Sequence, residues 1–291
     1  MAALFGIAVM WLRGKKKRAS WDARTTYRHE PYLGKGVPAK TYFVLTGAFN
    51  GPEHTEQQVE ELRLEGDVYV FDWAKYRFDF EQTAEILWSV VRTVKGRKIL
   101  VGWSLGGLAV FRMLYLAYAD DAETAKKLEL IVGDSPLCAQ HLLLPDGKGT
   151  KVPPLVMKHA RLVRFVRPGP IANRLLSRVI AKNSFHEVVR GPGANQELLG
   201  RHMARLHRNK LSRMVDQIVA IIMQPDHPVM GWKNKTTYVK CQDDVVIDAE
   251  LTLADWKRHF PHLTVHKVKG APHIAVPEWP EAYREVLAAA V

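Results

Sequence analysis

The chain has 291 residues, 47% of them hydrophobic and 25% charged, with a formal net charge of +12. That balance excludes a low-complexity or disordered chain and is enough to bury a sizeable core. Its two distant cysteines, Cys138 and Cys241, exclude a disulfide framework, match no metal or redox spacing and suggest a reducing compartment.

The positive charge sits in two segments. Residues 1–20 hold five Lys and Arg and no acid, and residues 137–231 hold 15 Lys and Arg against five Asp and Glu; the remainder is slightly acidic. Charge localised in this way points to an anionic partner or surface. Met1 to Leu12 is apolar and is followed by Arg-Gly-Lys-Lys-Lys-Arg. A membrane span needs about 20 apolar residues, so this segment is too short. The order apolar-then-basic does not fit a secretory signal. Three readings stay open: a peripheral anchor on anionic lipid through residues 1–18, a short helix packed on the domain, or a frayed terminus. The expectation is a cytoplasmic protein, with or without that peripheral attachment.

Residues 25–33 read as an early strand. Thr41 to Thr46 is an unbroken buried strand that ends at Gly47-Ala48-Phe49-Asn50-Gly51. Gln57 to Leu64 reads as a helix, Val68 to Trp73 as a strand and Phe80 to Val94 as a helix. A strand through Ile99 then runs into Gly102-Trp103-Ser104-Leu105-Gly106-Gly107, and an apolar helix follows from Leu108 to Tyr118. Leu128 to Gly133 is the next strand, closed by Asp134-Ser135-Pro136. This alternation predicts βαβ units and a mostly parallel sheet with flanking helices. It stops over 137–231, where Pro- and Gly-punctuated amphipathic stretches predict a helical insertion. It resumes with a strand from Thr236 to Lys240, a helix from Ala249 to Phe260, a strand from Leu263 to Val268 and a closing helix from Glu278 to Ala290. The domain reading is an N-terminal segment 1–20, a core of 21–136 and 232–291, and a basic helical cap, or lid, over 137–231.

Gly-x-Ser-x-Gly between a strand and a helix is the pattern of a nucleophile elbow, in which a sharp turn holds the serine hydroxyl clear of the sheet. The rival reading of Ser104 is a plain helix N-cap. A serine hydroxyl needs a base to take its proton and a third group to orient that base. His273, after the last strand and before the closing helix, is the candidate base. The acid belongs after an earlier strand: Asp244 ranks first, Asp134 second and Asp243 third. One of Asp243 and Asp244 could cap the next helix while the other orients His273. Ser104, Asp244 and His273 occur in the chain order of one hydrolase architecture. An oxyanion hole needs two donors, and the backbone N–H groups of Leu105, directly after the serine, and Ala48, in the loop after the Thr41–Thr46 strand, are the expected ones. Phe49 and Trp103 are the candidate pocket residues.

With these residues in place, 41–136 and 232–291 resemble the α/β-hydrolase-fold proteins, and 137–231 stands where that superfamily inserts its cap. Gly-Trp-Ser-Leu-Gly-Gly is similar to the elbows of carboxylesterases, including the biotin-pathway methyl esterases that act on an acyl chain linked to a carrier protein. The resemblance implies a serine ester hydrolase with Ser104 as nucleophile, His273 as base, Asp244 as acid and Leu105 and Ala48 as oxyanion donors, with no metal or cofactor. Thr46-Gly47 replaces a common His-Gly, and Pro272 stands before His273 where Gly is common; neither change removes a required group. A thioesterase, a lipase, a cofactor-free haloperoxidase and a non-catalytic binder are the alternatives on the same fold. The arginines from Arg161 to Arg213 suit an acidic carrier protein or acidic lipid. Nucleic acid does not fit, because the basic segment shows no recognition motif and few interleaved aromatics.

Overall fold

The computed structural model describes residues 26–29, 40–48, 55–72, 79–143, 151, 217, 219–224, 227–244, 246–271, 273 and 280–290. Its strands are β1 (Thr26–His29), β2 (Lys40–Leu45), β3 (Asp67–Phe71), β4 (Arg97–Trp103), β5 (Glu129–Gly133), β6 (Thr236–Cys241) and β7 (Thr264–Val268). They form one sheet in the order β1-β3-β2-β4-β5-β6-β7. β1 runs antiparallel to β3 at one edge, and every other pair is parallel. The helices are α1 (Glu56–Leu62), α2 (Phe80–Thr93), α3 (Leu105–Asp120), α4 (Ala122–Ala125), α5 (Ala249–His259) and α6 (Pro280–Ala290).

The strands read as continuous apolar runs because both faces of the sheet are covered. Successive side chains point to opposite faces, and the core divides accordingly. Phe43, Leu45, Leu100, Leu130 and Val132 pack with Trp88 of α2, Phe111 of α3 and Trp256 of α5. Tyr42, Val44, Ile99, Val101 and Ile131 pack with Val59 and Leu62 of α1 and Tyr283 and Val286 of α6. α3 lies against the sheet centre and buries Leu105, Leu108, Phe111 and Leu114 among others, which is why its sequence is apolar almost all round.

The topology also makes the crevice. The chain leaves β2 for β3 on one side and then crosses back to β4 on the other side of β2. The segments after β2 and β4 therefore depart in opposite directions from adjacent strands, opening a cleft at their carboxyl ends. Within 21–136 and 232–291 the expected strands and helices occur, with ends displaced by up to four residues; α3 begins at Leu105, three residues before the expected start, and the short α4 is an addition to the expected elements. Most of 137–231 lies outside the described residues, as do residues 1–20. The described parts of that insertion include a 3-10 turn at Ala139–His141, a bridge between Leu142 and Ile247, and buried Val219 and Ile221. Among the described residues, no helix is long and apolar enough to cross a membrane.

Candidate active site

β4 delivers Ser104 to the cleft. Its N–H donates to Gly133 O at 2.9 Å, and its φ of 50° lies in the left-handed region that residues other than glycine rarely adopt. Strain of this kind costs of the order of 1–3 kcal/mol, about what burying one large apolar side chain returns. The core around β4 and α3 supplies that many times over. Strand and helix backbones meet so closely here that a Cβ on Gly102 would lie 2.7 Å from Gly107 Cα, and one on Gly106 would lie 2.1 Å from Leu45 O. The second contact presses the end of β2 against the first turn of α3.

Ser104 occupies the N-cap position of α3, but its side chain makes no capping hydrogen bond. Its Oγ instead lies 2.9 Å from His273 Nε2, while His273 Nδ1 lies 2.6 Å from Asp244 Oδ2. A carboxylate can only accept, so Nδ1 carries the ring proton and Nε2 presents its lone pair to the serine hydroxyl. Asp244 Oδ1 accepts the N–H groups of Val246 and Ile247, at 2.8 and 3.1 Å. The acid thus closes its own turn with one oxygen and orients the histidine with the other. The helix cap belongs to a different residue: Asp248 accepts the Leu251 N–H and starts α5.

His273 and the Asp244 side chain are buried. Burial pulls the His273 imidazole toward its neutral form, but the charge and hydrogen bond of Asp244, with a contribution from Asp134, outweigh it and leave the ring more basic than usual. Asp134 is fully buried, and its φ of 43° is the other left-handed non-glycine conformation among the described residues. Burial first, and the neighbouring Asp244 charge second, push its carboxyl up to about 7, against the downward pull of His273 and Cys241.

The structure therefore brings Ser104, His273 and Asp244 together, with Asp134 beside them. Asp243, the third-ranked acid, is exposed, and its backbone N–H donates to Ala271 O. Leu105 is the first residue of α3, where a backbone N–H has no intrahelical acceptor. Ala48 lies in the turn after β2, packed against the core cluster that includes Leu105. Trp103 departs from the pocket role expected of it: as an inward residue of β4 it is 1% exposed and packs edge-on against Tyr283 of α6 in the core. Phe49 lies outside the described residues. Sequence reasoning missed Ser135 and Trp256. The Ser135 side chain fills the space beside Gly107 and donates to Gly133 O, and Trp256 Nε1 donates to Ser135 O at 2.7 Å. The Gly107 gap was the one sequence signal for that packing.

Two groups of side chains among the described residues place three potential metal-ligand atoms within 4.8 Å of one another: Asp134, Asp244 and His273, and Cys138, His141 and Asp255. In the first, Asp244 and Ser104 engage both His273 nitrogens. In the second, His141 Nδ1 accepts the Leu137 N–H at 3.1 Å, which leaves the ring proton on the Nε2 that faces Asp255. Neither histidine offers a lone pair to a metal in this arrangement.

Residues 43–290 match the model of the alpha/beta hydrolase family. No match is found among curated protein sequences. Solved structures with the same fold include an esterase from Exiguobacterium antarcticum, at 13% identity and TM-score 0.66, covering 91% of this chain and 94% of that one. A bromoperoxidase from Bacillus anthracis aligns at 12% identity and TM-score 0.66, with coverage of 91% and 94%. A carboxylesterase from Nitrososphaera gargenis aligns at 13% identity and TM-score 0.62, with coverage of 91% and 93%.

Proposed function

The chain belongs to the alpha/beta hydrolase family, and on that premise we propose that it is a serine hydrolase of carboxylic esters. The observation that carries the reading is the continuous chain Ser104 Oγ–His273 Nε2 and His273 Nδ1–Asp244 Oδ2, at 2.9 and 2.6 Å, with the ring in the tautomer a general base needs. Ser104 attacks the acyl carbonyl as its proton passes to His273 Nε2, and Asp244 stabilises the imidazolium that forms. The Leu105 and Ala48 N–H groups receive the developing oxyanion. His273 returns the proton to the departing alkoxide, leaving an acyl-Ser104. A water, deprotonated by the same histidine, then releases the carboxylic acid and restores the serine.

The basic stretch 137–231 supports substrates presented on an anionic partner, either an acidic carrier protein or acidic lipid. The test is turnover of nitrophenyl esters of short and long acyl chains, with the matching thioesters in parallel, by wild type, Ser104→Ala and His273→Gln. Ester turnover that both substitutions abolish supports the reading, and the acyl-length preference sizes the pocket. Turnover of thioesters alone would reassign the enzyme as a thioesterase. A folded wild type that turns over neither class contradicts the proposal.

A further inference from the structure

The fourth buried group of the site has a role that the Ser–His–Asp relay leaves unused. Asp134 and Asp244 place carboxylate oxygens within 4.8 Å of each other and of a His273 nitrogen, in a region closed to solvent. Two like charges that close, and that dry, are not both sustained, so one of the two carboxyls holds a proton. Their surroundings decide which. Asp244 receives three N–H groups, from Val246, Ile247 and His273, shared between both of its oxygens. Asp134 receives one backbone N–H, from Cys241 to Oδ1 at 3.1 Å, and its Oδ2 has no hydrogen-bond partner among the described residues. An ionised Asp134 would bury a charge with one carboxylate oxygen left without a hydrogen-bond partner among the described residues, whereas both oxygens of Asp244 accept N–H groups.

We propose that the two carboxyls share a single negative charge in the working enzyme, that Asp134 holds the proton, and that Asp134 and His273 titrate as a coupled pair, making Asp134 a positioning residue that sets the basicity of His273. The proposal rests on the hydrolase reading for its kinetic consequence only. The proton on Asp134 and the proton that inactivates His273 compete: ionising Asp134 places a second negative charge beside the imidazole and favours its protonated, inactive form. The titratable groups that face Asp134 are Asp244 and His273 from the segments after β6 and β7, and Tyr238 and the Cys241 thiol from β6. Tyr238 is itself held far into its neutral form, by burial first and by the Asp134 and Asp244 charges next. The left-handed backbone of Asp134 aims its side chain at this cluster, a conformation that Asn also tolerates.

The variant is therefore Asp134→Asn, close in shape to the protonated acid and unable to ionise. Its kcat/KM profile with a nitrophenyl ester is expected to move its acid limb to lower pH by roughly half a unit or more, with the plateau falling less than about tenfold. A folded variant whose acid limb coincides with that of wild type overturns the coupling. A plateau loss of about 10³-fold or more makes Asp134 an ionised catalytic acid and overturns the assignment of the proton.

Two readouts need no turnover, which separates a failure of this inference from a failure of the hydrolase reading. A carboxyl raised in the folded state keeps a proton that the unfolded chain has lost, so it destabilises the fold increasingly as pH rises from the unfolded carboxyl value of about 3.9 toward its folded value. The melting temperature of Asp134→Asn is accordingly expected to gain on that of wild type as pH rises through that window; a gap independent of pH counts against the proposal. In wild type alone, the infrared carboxylic-acid C=O band is expected at pH 6 and lost by about pH 9. Among the described residues Asp134 is the carboxyl pushed upward, and the absence of that band at pH 6 would overturn the proposal without any variant.

Discussion

Gly106→Ala tests whether the contact between the first turn of α3 and the end of β2 positions the oxyanion donors. The added Cβ would stand 2.1 Å from Leu45 O, 2.6 Å from Leu45 C and 2.8 Å from Thr46 O, all backbone atoms that no rotamer change can clear. To reach a tolerable separation the end of β2 must retreat from α3 by about 1 Å. Overpacking of this kind costs about 1–3 kcal/mol, and replacing Gly by Ala in a helix returns up to about 1 kcal/mol. The net loss of stability is modest, about 0–3 kcal/mol, and the variant should fold. Activity is far more sensitive, because Thr46 and Gly47 lead directly to Ala48 and a misplacement of about 1 Å at a reacting site costs on the order of 10²-fold. The assay is kcat/KM on a nitrophenyl ester with a thermal melt on the same preparation. The expected result is a fall of about 10²-fold carried by kcat, with the melting temperature lowered by a few degrees. A variant with wild-type kcat would refute the argument that this contact positions the Ala48 donor.

Asp244→Asn keeps an oxygen for the Val246 and Ile247 N–H groups but presents an amide to His273 Nδ1, so the protein should fold while kcat falls by about 10⁴ through the wrong ring tautomer. On the proposed mechanism the neutral imidazole is the base, and His273 is raised above an ordinary histidine, so wild-type kcat/KM should fall as pH drops, with its midpoint above about 6.5. Asn234→Ala removes an amide that donates to Ala125 O and Leu128 O and accepts from the Tyr118 hydroxyl. It should destabilise the fold by about 3 kcal/mol in urea titration, with kcat/KM in buffer near that of wild type.

The fold was legible where burial writes an unambiguous pattern. Tyr42 to Leu45 and Leu130 to Val132 are apolar on both sheet faces, so their runs could only be inner parallel strands. Ser104 was legible because an elbow needs small residues flanking it, and Gly102 and Gly106 face backbone atoms that exclude any Cβ. Asp244 and His273 followed from chain order after successive strands. What escaped the sequence depends on three-dimensional packing. The first turn of α3 was hidden by Gly106 and Gly107, which are poor helix formers retained for close approach. Trp103 looked like a pocket residue from its place in the motif, but β-strand alternation turns it into the core with Val101. The helix cap went to Asp248 because Asp244 spends its free oxygen on its own turn. Asp134 was foreseen as a substitute acid; that it lies beside a satisfied Asp244, with one oxygen unpartnered, required side-chain geometry.

The central claim is that Ser104 is the nucleophile of this site, and active-site labelling tests it most directly. The folded protein is treated with a fluorophosphonate, and its intact mass and peptide map are recorded beside those of His273→Gln and Ser104→Ala. The account predicts one adduct per chain, on Ser104, formed far more slowly in His273→Gln and absent from Ser104→Ala. An unlabelled folded wild type, or an adduct on another residue, would contradict it.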